Sequence, residues 1–137
     1  MAEAAFCDET DVGFSWVVEE PMTRTSHAVL ADGRTWLVDP VAWEPALERA
    51  AAHGPVAGVV QLLDRHARDC AALARRFGAP HLVTPDVVPG SPFELVPVVR
   101  RRGWQERALW WERPRVLVVA EAVGTNAFFT AGRGAAG

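Results

Sequence analysis

The order of apolar and polar positions divides the chain into short segments. Phe14–Val18 is a short apolar run bounded by Gly13 and Pro21, which predicts a first strand. Ser26–Leu30 and Thr35–Val38 predict two more strands, joined by Ala31-Asp32-Gly33-Arg34, where Asp-Gly is a strong hairpin signal. Asp39-Pro40 ends the third strand. Glu44 to His53 predicts a helix, with Pro45 in its first turn and Gly54 as its stop. Val56–Leu63 is almost continuously apolar, as in a strand buried on both faces. Cys70, Leu73, Ala74 and Phe77 follow at i, i+3, i+4 and i+7, one helical face, and Gly78 and Pro80 close that helix. His81–Val83, Phe93–Val99, Glu106–Trp111 and Val116–Ala120 predict further strands. Pro85–Pro92 reads as a loop and 123–137 as a weakly structured Gly/Ala-rich tail. Trp36, Trp110 and Trp16 are expected in the core, and Trp104 and Trp111 at a pocket mouth or an interface.

Between the buried strand and the second helix lies a polar cluster, Asp64-Arg65-His66-Ala67-Arg68-Asp69. It is the densest collection of chemistry-bearing side chains in the chain. The layout of strands and helices predicts one α/β domain over residues 1–137 with at least one parallel crossover.

Composition narrows the function classes. Half of the 137 residues are apolar, enough for a real core. The net charge of −3 gives no general attraction to nucleic acid. All 14 basic residues are Arg, so chemistry that needs a lysine is excluded. Cys7 and Cys70 lack a CxxC spacing and fit a reducing compartment. No stretch is long and apolar enough for a membrane span, and the N-terminus lacks the basic start of a secretory signal. The expectation is a cytoplasmic protein without nucleic-acid or membrane partners. Arg100-Arg101-Arg102 reads as a solvated turn, and Ser26-His27 as ordinary edge-strand chemistry.

The hairpin ending in Trp36–Pro40, the helix, the buried strand, the His-containing loop and the helix ending in Phe77–Pro80 together resemble the metallo-β-lactamase superfamily. The resemblance runs over roughly Ser15 to Thr125. It implies the N-terminal portion of a metallo-β-lactamase-like αββα sandwich, degenerate and C-terminally truncated. The family's Thr-His-x-His-x-Asp-His loop falls on Asp64–Cys70, and its four ligand positions on Asp64, His66, Arg68 and Asp69. Its bridging carboxylate falls on Glu121. The resemblance thus implies Asp64, His66, Asp69 and Glu121 as candidate metal ligands, with Arg68 standing where a ligand is expected.

Three readings of this loop follow. The carboxylates can neutralise arginines with no metal bound, since a guanidinium would repel a second cation. They can hold a single divalent ion, Zn, Mn or Fe, in a weak hydrolase. Or they can form a working two-metal centre. Beside these stands a binding module that takes a small anionic molecule or a partner through Arg65 and Arg68. A truncated chain without activity of its own, with exposed core that favours homo-oligomers, is the remaining expectation.

Overall fold

The computed structural model describes residues 3–19 and 22–120. Its elements are β1 (Ala4–Thr10), β2 (Gly13–Val18), β3 (Arg24–Ala31), β4 (Arg34–Val38), α1 (Glu44–His53), β5 (Val56–Gln61), α2 (Cys70–Phe77), β6 (His81–Val83), β7 (Glu94–Arg101), β8 (Trp104–Trp111) and β9 (Val116–Val118). The predicted helices match in extent. Pro45 sits in the first turn of α1, and Gly78 closes α2 in the left-handed conformation at φ 65°, its N–H reaching the carbonyls of Ala74 and Arg75. The prediction contains no β1. That strand carries Asp8 and Glu9 and is mostly exposed, so no apolar alternation marks it.

The larger sheet has the order β1-β2-β3-β4-β5-β6 and the smaller one β7-β8-β9. The first four strands of the larger sheet pair antiparallel, whereas β4–β5 and β5–β6 are parallel. β5 lies inside the sheet, which explains its continuous apolar run. Val59 belongs to the core on one face and Val60 to the core on the other. Beyond β5 the chain changes partners. Arg107 N donates to the Leu62 carbonyl at 2.8 Å, Asp64 N donates to the Gln105 carbonyl at 3.0 Å, and Leu63 bridges Glu106. The two sheets are thereby stitched together directly before the polar loop.

Two cores result. One lies under the helices, where Ala46, Leu47 and Ala50 of α1 and Cys70, Leu73 and Ala74 of α2 meet Trp16, Leu37 and Val59. The other lies between the sheets, where Val29, Trp36, Val38, Val60 and Leu62 meet Phe93, Leu109 and Val118. Trp111 packs into this second core, its ring 5.5 Å from Phe93, while Trp110 lies half-buried with Nε1 donating to Glu112. The core place expected of Trp110 is taken by Trp111, because adjacent strand residues face opposite ways.

The expectation of an αββα sandwich of α/β class is corrected. Among the described residues, strands predominate. The two helices both pack in the first core, on one face of the larger sheet, with the small sheet on the other. An αββα sandwich needs a helical layer outside each sheet, and the described residues carry it on one side alone. The physical reason lies in β7–β9. These strands are joined by tight antiparallel turns and leave no crossover long enough to place a helix on the far face.

Candidate functional site at the strand ends

Parallel strands β4 and β5 end on the same edge, and the segments leaving them supply the polar residues. In open sheets with parallel strands, ligands bind outside such carboxyl ends. Three non-glycine residues with positive φ occur just beyond β4, in the loop after β5 and just beyond β6: Asp39 at 46°, Arg68 at 42° and Thr84 at 38°. Left-handed backbone is unfavourable for side chains of this kind and gathers where the surroundings over-determine it.

Asp39 is the centre of the site. It is 2% exposed. Its Oδ1 accepts from Leu62 N at 2.7 Å, and its Oδ2 accepts from His66 Nδ1 at 2.9 Å. The carboxylate thus fixes the proton on Nδ1 and turns the Nε2 lone pair toward Arg68 Nη2, 3.4 Å away. Arg68 Nη1 donates to the carbonyls of Thr25 and Asp39, each at 2.7 Å. Ser26, fully buried, donates its hydroxyl to the Asp39 carbonyl at 3.1 Å and accepts from Val41 N at 2.9 Å. Ser26 is therefore a latch inside the sheet, and β3 is an interior strand instead of the expected edge.

The other residues of the loop go elsewhere. Asp69 occupies the N-cap position of α2 without a side-chain cap bond, and its Oδ2 accepts from Ala42 N at 2.6 Å. Asp64 faces the small sheet. Its Oδ2 accepts from Gln105 N at 3.0 Å, and its Oδ1 is buried with no hydrogen-bond partner among the described residues. Arg65 lies with its guanidinium 5.3 Å from the Trp104 ring centre, a cation–π arrangement at the surface. Of the four metal-ligand candidates, Asp64, His66 and Asp69 thus serve three different partners, and Glu121 lies outside the described residues. Among the described residues, no group of three or more His, Cys, Asp or Glu side chains is placed to hold a metal ion.

Three functional groups escaped sequence reasoning in part or whole. Asp39 stood in view as the end of a strand and as part of the Trp36–Pro40 resemblance, but not as a site residue. His27 and Ser15 form a cross-strand pair, Oγ to Nδ1 at 2.7 Å, in directly opposed positions of β2 and β3. Burial pulls the His27 imidazole down to about 4, opposed by the negative charge of Asp39 and reinforced by Arg68. His81, which had no partner at useful spacing, has its Nε2 2.9 Å from Gln61 Oε1. Cys70 is buried with Sγ 3.5 Å from the His66 carbonyl, and burial, with Asp39 adding to it, pushes the thiol up to about 12. That agrees with the expectation of a structural thiol.

No family model matches this chain, and no curated protein matches it. Among solved structures it is similar to the apo state of chemotaxis sensor ODP from T. denticola, with a TM-score of 0.51 and 15% identity. The match covers 85% of this chain and 62% of that one, so the chain spans under two thirds of its neighbour's length. At this identity the likeness concerns fold alone. The assignment to the metallo-β-lactamase superfamily is corrected accordingly. Neither a family model nor a curated relative carries it, the layers differ from the αββα sandwich, and the solved neighbour is named as a sensor and not as a hydrolase. With it falls the description of the loop as a degenerate hydrolase centre. Among the described residues, no helix is long and apolar enough to cross a membrane.

Proposed function

We propose that the edge formed by the ends of β4 and β5 binds a small molecule bearing a carboxylate or phosphate group, without turning it over. The observation that carries this reading is the arrangement of Arg68. Its backbone sits in a left-handed conformation, two main-chain carbonyls hold Nη1, and His66 Nε2 lies beside Nη2. A guanidinium so fixed is pre-organised, so little side-chain entropy remains to be lost on binding. The planar fork of a guanidinium matches the geometry of carboxylate and phosphate oxygens. Arg65, on the same loop and stacked against Trp104, adds a second cation.

The side chains around it favour binding over turnover. The Cys70 thiol is held far from its reactive form, and His27 is too weakly basic to draw a proton from Ser15 near neutral pH. A binding role is also what a sensor requires, and the structural neighbour is called one.

Calorimetric titration of the full chain with inorganic phosphate and with citrate tests the reading. Saturable binding that weakens about tenfold in Arg65→Gln and in Arg68→Gln, and that falls with added salt, is expected. Heat traces without saturation for both anions, from protein with native circular dichroism, would sink it.

A further inference from the structure

A second concavity lies between β1–β3 of the larger sheet and strand β9. It is a half-open groove of about 290 Å³. Its walls include Val29, Leu117 and Val118, its rim carries Asp8, and the Ser15–His27 pair lines it. An apolar wall with one convergent polar group is the usual composition of a small-molecule site.

The polar pair restricts the ligand. Ser15 occupies Nδ1 of His27, and among the described residues no hydrogen bond reaches Nε2. The ring prefers its neutral form, because burial disfavours the charged one. Arg68 and His66 also act on the ring, but the groove's own lining offers an anion a neutral imidazole and the Asp8 carboxylate, so a neutral ligand suits it better. A hydroxyl suits either tautomer: it accepts from Nε2–H when the Ser15 hydroxyl donates to Nδ1, and it donates to Nε2 when Nδ1–H donates to Ser15.

We propose that this groove is a binding site for a small neutral molecule with an apolar body and one hydroxyl group, which docks against Val29 and Val118 and hydrogen-bonds His27 Nε2. The groove and the anion site share no ligand-contacting residue, although Arg68 and His66 act electrostatically on the His27 ring. Either can therefore fail alone.

The probe is phenol, followed by the ring-proton resonances of the histidines in the full chain by NMR. A saturable shift of the His27 resonances at millimolar phenol is expected, with toluene binding about tenfold more weakly because it forgoes the hydrogen bond. Leu117→Trp fills the mouth of the groove from an exposed position and is expected to abolish the phenol shift while leaving the spectrum folded. Ser15→Ala leaves the groove apolar and should reduce phenol binding without removing it. The proposal is overturned if phenol leaves the His27 resonances of the folded parent unmoved, if toluene binds as tightly as phenol, or if Leu117→Trp binds phenol as the parent does.

Discussion

The imidazole of His66 and the carboxylate of Asp39 meet at 2.9 Å although 27 positions separate them in the chain. Their contact fastens the loop after β5 to the end of β4. The same carboxylate also receives the Leu62 amide, so one side chain ties two neighbouring parallel strands at the edge where the site lies.

Asp39→Ala is therefore expected to destabilise the fold by about 3 kcal/mol or more, since two charge-assisted hydrogen bonds, one buried and one partly buried, are lost. Asp39→Asn should cost less, roughly 1–2 kcal/mol, because asparagine keeps an acceptor for Leu62 N and tolerates the left-handed backbone. Urea unfolding of both variants measures the difference. Equal losses would mean that the charge itself, and not the pair of hydrogen bonds, holds the edge.

His27 gives the fold a pH dependence of defined sign. Its imidazole is pulled from 6.5 to about 4 on folding, so the unfolded chain binds more protons between these values. Stability is then fully present above about 6.5 and is lost as pH falls toward 4. The slope it adds is at most about 1.4 kcal/mol per pH unit. Asp8, Asp39, Arg68 and His66 all act on the ring. Denaturant midpoints across this range should fall with acid in the parent and fall less in His27→Gln. Parallel profiles would remove His27 as the cause.

The two thiols should differ in reactivity. Cys7 is exposed on the edge strand, whereas Cys70 is buried and its thiol is pushed up to about 12. Iodoacetamide at mildly alkaline pH is expected to alkylate Cys7 alone in the folded protein, and both residues in denaturant. Peptide mass spectrometry reads the sites. Rapid native labelling of Cys70 would contradict the packing of α2 described above.

Gly54 marks a close approach of two chain segments. A Cβ placed there would lie 2.2 Å from the Gly33 carbonyl oxygen in the β3–β4 turn. Main chain cannot give way as a flexible side chain can, so Gly54→Ala should destabilise by about 2 kcal/mol or more. Gly78→Ala, whose added Cβ meets nothing within 4 Å, pays for the left-handed backbone alone and should cost about 1 kcal/mol. Thermal unfolding of the pair checks the order, and the reverse order would refute the clash.

The helices, most of the strands and the place of the polar loop were legible in the sequence, because each rests on short-range rules. Cys70, Leu73, Ala74 and Phe77 recur with the helical period, Gly78 supplies the left-handed stop, and the apolar run after Pro55 fits a strand covered on both faces. The strand β1 was not legible, since an exposed edge strand gains its hydrogen bonds from a neighbour and needs no apolar rhythm of its own. The polar loop was legible in location, but the wiring of its side chains was not. Asp64 and His66 are two residues apart and were expected to line one polar pocket. The tertiary structure instead sends Asp64 to Gln105, 41 positions away, and His66 to Asp39. Ser15 and His27 meet because β2 and β3 pair in one particular register. Periodicity and capping act within a few residues and are written locally. Partners across sheets are chosen by strand order and by the direction in which each loop leaves its strand, and these are settled only when the layers pack together.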